Sequence, residues 1–135
     1  MTSNRKDVRM KRSTADRLLE GVKERISEVN NNDNFLYKVT YAVVFGSYVN
    51  AGRDMIGDLD IALRVEPKGE GDGFKKKCEQ KERECKSSDW LMCMAWPREE
   101  VLRYIKNKSG YISIHNYDHD KEAVERGETA VLFSN

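Results

Sequence analysis

Two short motifs in this chain have the residue types and spacing for phosphate and metal chemistry. The stretch VVFGSYVNAGRDMIGDLDIALRV, residues 43–65, carries Gly46 and Ser47 and then, after ten intervening residues, Asp58 and Asp60. Residues two apart on a strand point to the same side, about 6.6 Å apart, so Asp58 and Asp60 would offer two carboxylates to one spot. Left alone they repel, and one is expected to titrate high. A divalent cation removes that repulsion. Mg²⁺ takes oxygen ligands, typically one or two carboxylates plus substrate phosphates and water. Two such ions about 3.5–4 Å apart clamp an in-line phosphoryl displacement.

Gly46 and Ser47 supply the other half. Glycine lets the backbone approach a ligand closely. The residues after it can open a helix, whose free N–H groups favour phosphate, and the Ser47 hydroxyl adds a donor. The plainer reading of Asp58 and Asp60 is a hydrated pair at a loop edge. Their conjunction with Gly46-Ser47 favours metal–nucleotide binding.

These motifs need strands to position them. Residues 39–45, VTYAVVF, are apolar on both faces, as expected of a central strand covered twice. In residues 59–65, LDIALRV, the side chains of Leu59, Ile61, Leu63 and Val65 alternate onto one face, and Asp58, Asp60, Ala62 and Arg64 take the other. Antiparallel pairing of the two would bring Gly46-Ser47 to Asp58 and Asp60.

Around this pair, a helix is expected from Ser13, its cap, with Asp16 three residues on. Leu18, Leu19, Val22, Ile26 and Val29 form its apolar stripe. A charged helix over 74–87 has a thin stripe of Phe74, Cys78 and Cys85. DWLMCMAW, 89–96, reads as a third strand, and Pro97 opens a short helix. YISIH, 111–115, alternates like a strand but also suits a helical turn. DHDKEAVERG is expected to form a last helix, capped by Asp118 and stopped by Gly127, before a short strand TAVLF, 129–133. Strands interleaved with helices predict a single α/β domain over 1–135, with 1–12 a basic, partly frayed arm carrying Arg5, Lys6, Arg9, Lys11 and Arg12.

Composition bounds the setting. The 135 residues hold 24 basic and 23 acidic side chains, a net of +1, so global charge argues for neither nucleic acid nor membrane binding. No run approaches the ~20 apolar residues that span a bilayer, and the N-terminal stretch lacks a signal-peptide centre. A cytoplasmic protein is expected. Cys78, Cys85 and Cys93, without a C-x-x-C pair, read as reduced thiols. His115 and His119 have no third ligand near in sequence and read as solvent-exposed rather than as a zinc site. Arg53 and Arg64 could meet phosphates, although Arg64, four residues beyond Asp60, suits a surface ion pair better. Trp90 and Trp96 are expected in the core or at a subunit contact, and Lys75, Lys76 and Lys77 on a solvated helix face.

Residues 43–63 resemble the G-S-x(10)-D-x-D signature of the nucleotidyltransferase superfamily typified by DNA polymerase beta, and most closely its small stand-alone bacterial and archaeal members. AWPREEVLRYI and AVERGETAVLF are similar to later segments of such proteins. The resemblance implies a polymerase beta-like fold, an α/β (α+β) domain with a mixed sheet of three to four strands and helices packed on it. It implies that Gly46 and Ser47 hold the triphosphate of ATP or another nucleoside triphosphate, and that Asp58 and Asp60 bind two Mg²⁺ ions. The family's third carboxylate falls near Leu91 or Met92, both apolar. Asp89 is the nearest acid and the expected third metal ligand and catalytic residue. Transfer of a nucleoside monophosphate to an acceptor hydroxyl is implied, with pyrophosphate released. The acceptor could be a partner protein, as for antitoxins of the family that modify small helical toxins. Two other readings stand beside it: transfer to a small molecule such as an aminoglycoside, with a homo-oligomer completing the pocket, and a non-catalytic nucleotide- or partner-binding module, favoured by the apolar residues at 91–92.

Overall fold

The alternation in LDIALRV orients the sheet. Leu59, Ile61 and Leu63 are buried in the main core, each burial contributing about 1.5–3 kcal/mol. A slip of one residue would forfeit all three and drive Asp58 and Asp60 inward. The structure, a computed structural model, describes residues 10–50 and 52–135. In chain order the elements are β1 (Met10–Lys11), α1 (Arg12–Asn31), β2 (Tyr37–Phe45), a 3₁₀ turn (Gly46–Val49), β3 (Met55–Ile56), β4 (Leu59–Pro67), α2 (Gly71–Glu84), α3 (Trp90–Met94), α4 (Trp96–Lys106), β5 (Ile112–Asn116), α5 (Lys121–Glu125) and β6 (Thr129–Ser134).

A four-stranded mixed sheet runs β5-β4-β2-β6. β2 pairs antiparallel with both β4 and β6, while β4 and β5 are parallel. Parallel neighbours need a crossover, and α2, α3 and α4 supply it. A separate two-stranded ribbon pairs Met10 with Ile56 and Lys11 with Met55.

As its composition predicts, β2 is central and covered twice. Val39, Ala42 and Val44 join the core that α1 and α4 close, through Leu19, Val22, Ile26, Val101 and Ile105. Val43 points the other way, to Ala62, Tyr117 and Val124. A bulge between Val39 and Tyr41 shifts the alternation, so Val39 and Ala42 share one side although three residues apart.

Several expectations change. Helix α1 starts at Arg12 with Lys11 at its N-cap and no side-chain cap bond; Ser13 lies inside its first turn, and Asp16 accepts the Tyr48 hydroxyl at 2.5 Å. Residues 90–94 form a helix, not a strand. Asp89 Oδ1 accepts from the Leu91 and Met92 amides at 3.0 and 3.4 Å, the N-cap geometry, and a Leu-Met run without β-branched residues resists helix little. The strand beside β4 is β5. Helix α2 starts earlier than expected, at Gly71, and has no buried residue. Its lysine run is solvated, and Lys81 pairs with Glu100 of α4 at 3.0 Å. Asp118 does not cap α5, whose N-cap is Asp120; it binds Arg64 instead. Trp90 is 70% exposed, and Trp96 is half-buried with the Arg103 guanidinium 5.7 Å from its ring, so neither is a core side chain. The three cysteines are free thiols. The proposed basic arm lies outside the described residues up to position 9; Lys11 and Arg12 within it are ordered in β1 and α1. Among the described residues, no helix is long and apolar enough to cross a membrane.

Candidate functional site

Strand register brings the two motifs together. Phe45, the last residue of β2, faces Asp60 across the β2–β4 pair. Gly46 then turns away with φ +80°, a left-handed conformation that costs an L residue about 1–2 kcal/mol. Its bare α-carbon faces Asp60: a Cβ there would sit 2.6 Å from Asp60 Oδ2. One residue on, Ser47 Oγ accepts the Gly57 amide at 3.2 Å, tying the turn to the residue before Asp58. The glycine-serine turn and the two acids form one structural unit.

The linking loop is braced. Arg12 Nε donates to the Arg53 carbonyl at 3.0 Å and Nη2 to the Asn50 carbonyl at 2.9 Å, and its guanidinium lies 5.0 Å from the Tyr48 ring. Burial, and then the bond to Asp16, push the Tyr48 hydroxyl up to about 12. Ile56, fully buried, anchors the loop's end. Arg53, a candidate phosphate contact by sequence, is exposed and serves here through its carbonyl.

Asp60 has the electrostatics of a desolvated acid. Burial is the main cause raising its pKa; His115 lowers it, and the neighbouring Asp58 raises it further. His115 is the residue that sequence reasoning missed. It is not a freely solvated histidine. Half-buried on β5, it places Nε2 3.4 Å from Asp60 Oδ1 and Nδ1 3.7 Å from Asp120 Oδ2. Ser113 Oγ lies 3.2 Å from the same Nε2, and the Phe45 ring meets the imidazole edge-on at 5.1 Å. His119 is 84% exposed and lies in a turn, so the two histidines share no helix face. The alternation of YISIH carried the signal: read as the strand beside D-x-D, it puts Ser113 level with Asp60 and His115 level with Ala62.

The structure places Asp89 at the head of α3, with one carboxylate oxygen engaged by two backbone amides. Arg64 grips Asp118 through Nε and Nη2, at 2.8 Å for the shortest contact, with its guanidinium over Tyr41 and Tyr117; this is the ion pair expected of it.

No protein-family model, curated protein or solved structure matches the chain. The donor set therefore has to speak for the site. Asp58, in the bend just before β4, is near enough to Asp60 to help raise its pKa, and that rise, due first to burial, reflects what charging Asp60 there costs. That pair fits one divalent ion completed by phosphate oxygens and water. Among the described residues, no group of three His, Cys, Asp or Glu side chains is placed to hold a metal. A cleft of about 600 Å³ lies elsewhere, lined by Asp33, Lys76, Lys77, Lys81 and Glu84; it gathers three lysines and two acids and touches neither motif. Two smaller clefts adjoin Gly46.

Proposed function

We propose that this chain binds the phosphates of a Mg²⁺–nucleoside triphosphate at Gly46, Ser47, Asp58 and Asp60, and transfers the nucleotidyl group to an acceptor hydroxyl. The observation that carries the reading is the fit of Gly46 against Asp60, with Ser47 bonded to Gly57. A glycine-serine turn and a carboxylate pair are held together by strand register and by a loop that Arg12 braces.

In the proposed reaction the acceptor hydroxyl gives up its proton to water, its oxygen attacks the α-phosphorus, the α–β anhydride bond breaks, and pyrophosphate leaves. A cation held by Asp58 and Asp60 would neutralise phosphate charge there. The protein's own part is positioning. Gly46 lets the turn pack against Asp60, Leu59 and Ile61 lock Asp60 toward the site by their burial, and His115, beside Asp60, favours that acid's charged form.

One observation favours a second reading, a nucleotide-binding module without turnover: β5 presents Ser113 and His115 beside Asp60 rather than a carboxylate. Titration with ATP in the presence and absence of Mg²⁺ tests the binding site, with expected loss on Asp58→Ala plus Asp60→Ala. Unchanged affinity in that double variant rejects both readings. Release of pyrophosphate with a labelled acceptor, a co-purified protein or an aminoglycoside, separates transfer from binding alone.

A further inference from the structure

Strand β5 carries a hydroxyl to the face of the candidate site. In the parallel β4–β5 pair, Ser113 lies level with Asp60. Level residues of neighbouring strands share a face, with their backbones about 4.8 Å apart. Ile112, fully buried in the core, holds that orientation, because the next side chain along a strand takes the opposite face. His115 joins the two residues. Its Nε2 lies 3.2 Å from Ser113 Oγ and 3.4 Å from Asp60 Oδ1, so hydroxyl and carboxylate meet at one nitrogen. Asp120 Oδ2, 3.7 Å from Nδ1, and the Phe45 ring, edge-on at 5.1 Å, hold the imidazole from other sides.

Other hydroxyls near the motif are tied into its loop. Ser47 Oγ accepts the Gly57 amide, and the Tyr48 hydroxyl donates to Asp16. Ser113 is half-buried on the face of Asp60 itself. A cation held by Asp60, and a phosphate on that cation, would lie beside its hydroxyl. Holding two reactants together in one molecule gives effective concentrations of about 10⁵–10⁸ M when they are well oriented. A serine of the chain itself then competes well with any dissolved acceptor.

From this placement we infer that Ser113 is an acceptor of the nucleotidyl group: the chain modifies itself, and the product closes its own site. The inference rests on the transfer reading above and names an acceptor for it. Ser113 Oγ attacks the α-phosphorus, the α–β anhydride bond breaks, pyrophosphate leaves with the bonding electron pair, and the hydroxyl proton passes to water. His115 holds the hydroxyl in place. The phosphodiester formed keeps a negative charge beside Asp60, which repels a second nucleotide.

The full chain, incubated with Mg²⁺ and each common ribonucleoside triphosphate labelled at the α-phosphate, tests this, with calorimetry alongside to measure binding. A mass gain of one nucleotidyl group per chain is expected, mapped to Ser113, at a per-chain rate independent of protein concentration. Ser113→Ala should lose the label, and mapping on the wild type decides the site even if that variant folds poorly. The modified chain, separated by ion exchange, should bind the same nucleotide about tenfold more weakly or worse. Binding without self-labelling, label on Ser47 or another residue, a per-chain rate that rises with concentration, or unchanged affinity in the modified chain overturns Ser113 as acceptor and leaves the phosphate site standing. Failure of every nucleotide to bind overturns the phosphate-site reading and the acceptor with it.

Discussion

Asp60 occupies the space that Gly46 leaves empty: a Cβ on residue 46 would lie 2.6 Å from Asp60 Oδ2, at a backbone φ of +80°. Gly46→Ala therefore meets two penalties at once, left-handed backbone strain and a displaced carboxylate. A loss of about 2 kcal/mol is expected, seen as a Tm fall of roughly 5–10 °C. Mg²⁺-dependent nucleotide binding should weaken more than the stability loss explains, because the displaced group is Asp60 itself. A variant with wild-type stability would show that the turn has another conformation available.

Asp60→Asn should separate stability from function. Burial raises the Asp60 pKa in the fold, so its charged form opposes folding. Below the unfolded value of about 3.9 the acid is neutral in both states and costs nothing. As pH rises through the higher folded value, the wild type loses stability that the amide variant keeps. Urea unfolding at pH 4 and pH 7 is expected to show the variant gaining on the wild type at pH 7, while Mg²⁺-dependent ATP binding disappears. Equal pH dependence in the two proteins would mean that Asp60 is not desolvated.

Asp89→Ala tests the acid that sequence alone nominated as a metal ligand. As the N-cap of α3 its removal should cost about 0.5–2 kcal/mol locally, read as faster proteolysis around Trp90–Met94. Mg²⁺-dependent ATP affinity should be unchanged. A loss comparable to that of Asp58→Ala would return Asp89 to the metal site.

The Arg64–Asp118 pair predicts an acid-side effect of opposite sign. Arg64 holds the Asp118 carboxyl below its usual range, so the pair supports the fold above about pH 4 and this support fades as pH falls through the lower folded value. Arg64→Ala should be less stable than the wild type at pH 6 and converge with it in acid. Both side chains are exposed, and high salt should shrink the difference.

Much of the site's frame is legible in the chain itself. The alternation of Leu59, Ile61 and Leu63 assigns Asp58 and Asp60 to the opposite face because burial of the apolar set leaves no other register. The doubly apolar run in β2 marks a central strand for the same reason. Local spacing also anticipates that antiparallel pairing brings Gly46 and Ser47 to the acids, since the connecting loop is too short to carry the two strands apart.

Other features depend on contacts that no local pattern encodes. Trp90–Met94 carries a strand-like run of large apolar residues, yet it is helical, because Asp89 satisfies its first amides and the place beside β4 is already filled by β5. That same pairing makes His115 a neighbour of Asp60 across 55 residues, and it turns Asp118 from a helix cap into the partner of Arg64. Arg12, far ahead of the motif, braces its loop through two backbone carbonyls. Periodicity reports which side of a strand a residue faces, since that follows from backbone geometry and solvent alone. Which strand lies alongside is decided by the packing of the whole domain, and so the charge environment of Asp60 was set only by the tertiary fold.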